Sequence, residues 1–445
     1  MARTSLFRDP EPRRPTPGEI DRAVGFVIPI RPMFDAFTYH RNELYAEGVP
    51  IEKLALRYGT PLYIYSRNHL RRQYRALARA MAGVKPLICY SVKANSNAAV
   101  IRTFLQEGAG LDIVSGGELF RALRAGADPC RIVFAGVGKT REEINYALRE
   151  GILFFTVESE PEAERISACA RRLGRKGRIA FRVNPDVDAG THKHITTGTK
   201  ENKFGLDLHR TAVACRAAAR LPNIEIVGLH MHIGSQILSA RPFEQALRKV
   251  AGFCRELKAI YPTFRYIDVG GGIGIRYRPG QEPLALEDYA RRMIPVLREL
   301  GLSVVMEPGR YLVGNSGILV CRVQYVKLGA HKKFVVSDAG MNDLIRPLLY
   351  EAHHDILPVS RRKGSLRGDL VGPICESGDY LARDRRLPAV GEGELLAVMS
   401  AGAYGFTMAS NYNSRPRAAE VMVDGRRARV VRKRETWQDL VRHEM

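Results

Sequence analysis

Lys93, Glu307 and two groups of glycines are the residues of this chain whose types and spacing suit covalent cofactor chemistry. Lys93 lies in the run Tyr90-Ser91-Val92-Lys93-Ala94-Asn95, Glu307 opens Glu307-Pro308-Gly309-Arg310, and Gly270, Gly271 and Gly272 follow Asp268-Val269. Glycines of this kind let backbone N–H groups approach and bind a phosphate. A lysine amine, a phosphate cradle and a carboxylate together suit pyridoxal phosphate. Lys93 would hold its aldehyde covalently, and Glu307 would keep the pyridine nitrogen protonated so that the ring accepts electrons. Lys93 by itself would read as a surface lysine, so the expectation rests on the combination.

Other motifs are less productive. His230 and His232 are two apart and share one face of a strand. They offer metal ligands, satisfied core groups or a ring-stacking surface; we expect His232 to stack on a cofactor ring and expect no metal. Gly138-Lys139-Thr140 resembles the end of a phosphate-binding loop, but Val133 stands where that loop needs its first glycine. The glycines at 270–274 make half of a dinucleotide fingerprint, too little to carry that reading.

The elements that must position these residues alternate regularly. Runs at 87–90, 111–114, 131–134, 154–157, 179–183, 227–232, 266–269 and 303–306 read as strands, with helical patterns between them. Eight such strands over roughly 220 residues predict an α/β fold with a (β/α)₈ barrel. Barrel enzymes work at the C-terminal ends of their strands, where Lys93, Asp112, Glu158, Arg182, Asn184, His232, Ser235, Gly271, Gly272 and Glu307 fall. Beyond Gly309 strands follow without long helices, at 318–328, 333–337, 366–371, 395–401, 420–423 and 427–431, which predicts a mostly antiparallel β domain. The expected organisation is a flexible tail at 1–25, a barrel at 60–310, and a discontinuous β domain from 26–59 and 311–445.

Composition narrows the classes. With 45% hydrophobic and 26% charged residues, the 445-residue chain reads as an ordinary globular protein. A formal charge of +22 raises nucleic-acid binding, yet the arginines are spread along the chain. The cluster at 426–434 flanks Asp424-Gly425, a hairpin signal, so it reads as a solvated ribbon; no nucleic-acid partner is expected. No apolar run is long enough to span a membrane, and the arginines near the start precede no apolar signal region. Seven cysteines without a CxxC pair predict a reducing cytoplasmic setting and no structural zinc.

The chain resembles the diaminopimelate decarboxylases of the alanine-racemase-like class of pyridoxal phosphate enzymes over about residues 35–440. The resemblance is carried by 90–95 (YSVKAN), 200–205 (KENKFG), 230–236 (HMHIGSQ), 268–272 (DVGGG), 307–310 (EPGR), 341–347 (MNDLIRP), 373–379 (PICESGD) and 403–416 (AYGFTMASNYNSRP). It implies a barrel plus a β domain, Lys93 as the cofactor-binding lysine, His232 on the ring and Glu307 at the pyridine nitrogen. Ser235, Gly271, Gly272, Gly309 and Arg310 lie in the implied phosphate motifs, with Tyr404 reaching in from the β domain, and Asp112 and Arg182 complete the cofactor set. Arg310, Arg346, Tyr350 and Tyr404 resemble the substrate-side residues, and Glu376 would face the distal amino group. Cys375 resembles the acid that protonates the substrate carbon and in this family comes from the partner subunit, which implies a homodimer with shared sites.

The implied reaction is decarboxylation of meso-2,6-diaminopimelate to L-lysine and CO₂, the last step of lysine biosynthesis. Decarboxylases of ornithine, arginine, carboxynorspermidine or a carrier-tethered amino acid are the nearest rivals. A racemase would share Lys93 but is expected to lack the Cys375-Glu376 pair. A non-catalytic pyridoxal phosphate regulator is opposed by the presence of both Lys93 and Cys375.

Overall fold

The computed structural model describes residues 36–188 and 203–445. The expected tail at 1–25, the start of the 26–59 segment, and Lys200, Glu201 and Asn202 of KENKFG lie outside the described residues. Among the described residues, no helix is long and apolar enough to cross a membrane.

The described chain opens with a three-stranded antiparallel sheet, β1 (Phe37–His40), β2 (Glu43–Ala46) and β3 (Val49–Pro50), followed by a helix at Ile51–Tyr58. Next comes β4 (Leu62–Ser66), all five residues of which are buried. The helix Arg67–Ala80 then leads into the barrel, capped by the Ser66 hydroxyl and burying His69, Leu70, Tyr74 and Leu77 along one face.

The barrel strands are β5 (Leu87–Ser91), β6 (Gly110–Ile113), β7 (Ile132–Phe134), β8 (Phe154–Val157), β9 (Gly177–Val183), β10 (Ile224–Met231), β11 (Tyr266–Asp268) and β12 (Ser303–Met306). They pair in parallel and close, β12 against β5. All eight expected strands are present, with small shifts at their ends. They are legible because parallel barrel strands are covered on both faces and therefore read as apolar runs; β8 is Phe-Phe-Thr-Val, buried throughout. Cys89, Val133, Phe154, Ala180, Val227 and Val305, from six of the eight strands, form a buried cluster separate from the main core. That is the layered filling of a barrel interior.

The β domain holds β13 (Gly317–Leu328), β14 (Lys333–Ser337), β15 (Ile356–Pro358), β16 (Ser365–Val371), β17 (Tyr380–Pro388), β18 (Leu395–Val398), β19 (Ala419–Asp424) and β20 (Arg427–Arg432). Its sheet runs β17-β16-β14-β13-β4-β19-β20, with β18 also paired to β13 and β15 paired to β18. Most pairs are antiparallel; β14 with β16 and β4 with β19 are parallel. The strand lent by the N-terminal side is thus β4, antiparallel to β13 and parallel to β19. A barrel beginning at residue 60 is therefore corrected: Leu62–Ser66 is buried inside the β sheet, and the chain leaves it at Arg67. The hairpin at Gly425 joins β19 to β20 as expected, and part of its basic cluster turns inward, with Arg432 bonded to buried Glu420 and Arg434 donating to the Pro61 carbonyl at 2.6 Å.

Two turns join the domains. Asn95 Nδ2 donates to the Gly402 carbonyl at 3.1 Å, and the Tyr404 N–H donates to the Ala94 carbonyl at 2.8 Å. Gly402 is required there because a Cβ would lie 1.9 Å from the Val313 carbonyl oxygen, a backbone atom that cannot step aside. Gly402→Ala is expected to lower stability by about 1–3 kcal/mol by overpacking and to loosen the turn carrying Tyr404. Chemical denaturation together with retained cofactor per chain checks both effects.

Candidate active site

β5 ends in one tight turn, Val92–Ala94, that points Lys93 across the mouth of the barrel. Its Nζ donates to Asp112 Oδ2 at 2.8 Å, and the Ser91 hydroxyl donates to the same oxygen. Asp112 on β6 is fully buried, so it serves from beneath, holding the amine, and does not line the cavity. Burial opposes the Lys93 charge, but Asp112, Glu307 and Tyr404 more than offset it and hold the ammonium above the ordinary lysine range.

Glu307, just past β12, bonds through Oε2 to His230 Nε2 at 3.0 Å. Its other oxygen, Oε1, is buried without a partner. Burial alone would raise this carboxyl; His230, Lys93 and His232 outweigh it and keep Glu307 ionised well below the usual range. Asp268 behind it goes the other way, pushed far up by burial and by the Glu307 charge. Of the two neighbouring carboxyls, the surroundings favour the charge on Glu307 and the proton on Asp268. The ligand atoms of His230, Asp268 and Glu307 lie within 4.8 Å of one another.

His232 accepts the Gly271 N–H at Nδ1 over 3.2 Å. Burial, then the charges of Arg182 and Lys93, keep the ring well below its ordinary value, so it is neutral with its proton on Nε2. Gly271 therefore spends its N–H on the imidazole and not on a cradle. Gly272 does line the cavity: its φ of +105° and the 2.5 Å that would separate a Cβ from the Gly234 carbonyl oxygen leave room only for glycine.

Lys93, Arg182, His232, Gly272, Glu307 and Tyr404 share one cavity of about 360 Å³, with Ser235, Gly309 and Arg310 also on its wall. Arg182 is fixed there by Glu158 Oε1 at 3.1 Å and sits 4.6 Å over the Phe204 ring, while Glu158 Oε2 takes the Gly205 N–H at 2.8 Å. Lys139 is accounted for nearby: its buried ammonium donates to Glu162 and to the carbonyls of Gly136 and Thr156, each at 2.7 Å. It is a structural ion pair.

A second cavity of about 350 Å³ shares Arg310 with the first and is lined also by Tyr277, Arg346 and Tyr350. Arg310 donates to Ser235 Oγ at 2.9 Å and to the Tyr277 hydroxyl at 2.8 Å. The sequence reading placed Glu158 at a strand end and Phe204 in the 200–205 motif without giving either a partner, and it assigned no role at the site to Tyr277 or His354.

Cys375 and Glu376 line neither cavity. They stand exposed on the loop after β16, where the Cys375 N–H donates to Asn413 Oδ1 at 2.7 Å and Glu376 accepts from the Tyr412 hydroxyl at 3.3 Å. Asp379 braces that loop by accepting the N–H groups of Met341 and Ile374, both at 2.6 Å.

The residues in the barrel fit pyridoxal phosphate: the Glu307 carboxylate, held ionised, and the Lys93 amine line the same cavity, beside a position at Gly272 that has room only for glycine. Comparison with known proteins agrees. Residues 67–314 match the family of pyridoxal-dependent decarboxylases, in its pyridoxal-binding domain, a span that begins directly after β4. The diaminopimelate decarboxylase of Pseudomonas aeruginosa is 51% identical over 407 residues, covering 91% of this chain and 98% of that protein. That of Pseudomonas fluorescens is 50% identical over 408 residues, covering 91% and 98%. The crystal structure of diaminopimelate decarboxylase from Helicobacter pylori complexed with L-lysine superimposes with a TM-score of 0.85 at 43% identity, covering 88% of this chain and 99% of that one. With half the residues shared over nearly the whole length and the lysine, carboxylate and glycines assembled in one cavity, the chain belongs to the diaminopimelate decarboxylases, a family of pyridoxal phosphate-dependent enzymes.

Proposed function

We propose that this protein decarboxylates meso-2,6-diaminopimelate to L-lysine and CO₂, the last step of lysine biosynthesis. The observation that carries the substrate assignment is the pair of buried guanidiniums, Arg310 and Arg346, beside the cofactor cavity. They suit a substrate that keeps one carboxylate after losing the other.

Lys93 holds the cofactor covalently between turnovers, with Asp112 steadying its amine. Glu307 would serve the pyridine nitrogen, and His232 and Arg182 would hold the ring. Gly272, Ser235, Gly309, Arg310 and Tyr404 would hold the phosphate, with Gly271 acting through His232. When bound, pyridoxal phosphate supplies an electron sink for the pair left on the α-carbon as CO₂ departs. Arg310, Arg346, Tyr350 and Tyr404 orient the substrate by its retained end, and Glu376 accepts its distal ammonium. The Cys375 thiol would supply the proton to the α-carbon, and Lys93 would hold the cofactor again once the lysine product has left.

We also propose a homodimer in which each cavity is completed by Cys375 and Glu376 of the other copy. Both residues are exposed and outside the cavities of their own chain, on a loop braced by Asp379. Seven unpaired cysteines support a cytoplasmic location.

Purified protein with pyridoxal phosphate is expected to release CO₂ from meso-diaminopimelate and form lysine; release from ornithine, arginine or lysine instead would reassign the substrate. Glu307→Gln is expected to keep the cofactor yet lower kcat on the order of a hundredfold, since it removes charge stabilisation at the reacting system. Lys93→Ala and Cys375→Ala homodimers are expected to be nearly inactive alone, whereas an equal mixture, after subunit exchange, should recover about a quarter of wild-type activity, because half the dimers carry one intact site. No recovery on mixing would mean that each chain builds its own site.

A further inference from the structure

Arg310 and Arg346 are 7% and 5% exposed, and their guanidinium carbons lie 5.8 and 4.8 Å from the centre of one ring, Tyr277. Two cations held together away from water need acceptors and a fixed geometry. Among the described residues neither is bonded to a carboxylate. Their acceptors are neutral: Ser235 Oγ and the Tyr277 hydroxyl for Arg310, and His354 Nε2 at 2.9 Å for Arg346 Nη1.

His354 is fully buried and lines neither cavity, so it acts on a ligand only through Arg346. Its tautomer is decided by its two partners. The Met399 carbonyl, 2.8 Å from Nδ1, can only accept, and a guanidinium can only donate. Nδ1 therefore carries the proton and Nε2 offers its lone pair to Arg346. The Met399 N–H is itself held by the Asp355 carbonyl at 2.8 Å, which ties the residue following β18 back to the segment carrying His354. Burial, and then the Arg346 charge, hold the imidazole well below its ordinary value and so keep it neutral. The ring also meets Tyr277 edge-on, 5.6 Å between centres. With Nη1 taken by His354, Arg346 still lines the second cavity, where its guanidinium can meet a carboxylate.

We propose that His354 is a positioning residue which, with Tyr277 as spacer, presets Arg346 beside Arg310 as a clamp for the substrate's retained carboxylate. This role rests on the decarboxylase reading above. Its energetic logic is preorganisation: the ordering of a long side chain is met on folding and not on binding.

The test uses the cofactor-loaded protein and a double-mutant cycle between His354→Phe and Arg346→Lys, with His354→Gln as the conservative variant. KM and kcat are measured on meso-diaminopimelate, and the dissociation constant of glutarate, a carboxylate probe that needs no turnover, is measured by calorimetry. His354→Phe is expected to raise KM and the glutarate constant about tenfold with kcat changed by less than about threefold, the signature of lost ligand binding. His354→Gln, which keeps an acceptor for Nη1, should restore most of the loss. In the Arg346→Lys background His354→Phe should add less than about twofold, because the two residues act as one unit. A fall in kcat at unchanged KM, equal effects of Phe and Gln, or additive effects in the cycle would overturn the proposal. If His354→Phe does not fold, Tyr277→Phe, which removes only a hydroxyl, carries the same expectation for KM and glutarate. A wild type that is inactive on diaminopimelate but shows the coupling with glutarate would remove the decarboxylase reading and leave the clamp. CO₂ release without glutarate coupling would do the reverse.

Discussion

Everything at this site is referenced to the contact between two turns, 92–95 of the barrel and 402–405 of the β domain. Ala94 offers its carbonyl to the Tyr404 N–H, and Asn95 reaches back to the Gly402 carbonyl. Tyr404 sits at a φ of 55°, a left-handed conformation that costs a bulky residue of order 1–3 kcal/mol and persists only where the surroundings enforce it. The enforcement is visible in the packing of Gly402 on Val313. A lysine on one domain and a tyrosine on the other thus share a single frame, which neither domain could supply alone.

Within that frame the charges are sorted. Glu307 on the cavity wall and Asp112 beneath it are buried carboxyls whose charge is favoured by Lys93, with His230 adding to it at Glu307, while Asp268 behind them is pushed towards its neutral form. The guanidiniums of Arg310 and Arg346 lie to one side, matched by neutral oxygens and an imidazole nitrogen. On the proposed reading the anionic end serves a ring nitrogen and the cationic end serves a carboxylate. Mixing them would produce internal salt bridges and close the site to its ligand, so the neutral character of Tyr277 and His354 is what keeps the arginines available.

The barrel was legible because its strands are covered on both faces and read as apolar runs, and the loop residues were legible because Lys93, Glu307 and the glycines have chemistry that packing does not require. What was missed has physical reasons. The helix Arg67–Ala80 carries five arginines, and its apolar stripe of Leu70, Tyr74 and Leu77 is thin. The helix Leu208–Ala218 buries mainly Thr211, Ala214, Cys215 and Ala218, small residues with little contrast. β17 is an edge strand in which arginines and an aspartate alternate with few apolar residues. β4 was placed in the barrel because adjacency in the chain says nothing about which sheet a buried strand joins. Tyr277 meets Arg310, 33 residues further on, and His354 meets Arg346 eight residues back across the turn into β15, and neither interval is a helix or strand spacing that would mark the pair.

The asymmetry between the two carboxylates of the proposed substrate follows from the same arrangement. A carboxylate that is to leave as CO₂ loses its charge in the transition state, so a guanidinium bonded to it would stabilise the ground state more and slow the reaction. The retained carboxylate keeps its charge throughout, and binding it tightly raises no barrier. A site for this chemistry must therefore concentrate its cations at one end and withhold them from the other. Arg310 and Arg346 meet over one tyrosine ring at the edge of the cofactor cavity. Arg182, the remaining guanidinium on that cavity's wall, has its charge matched by Glu158. On the proposed reading the leaving group faces the electron sink away from the arginine pair, and that pair decides which of the two ends stays.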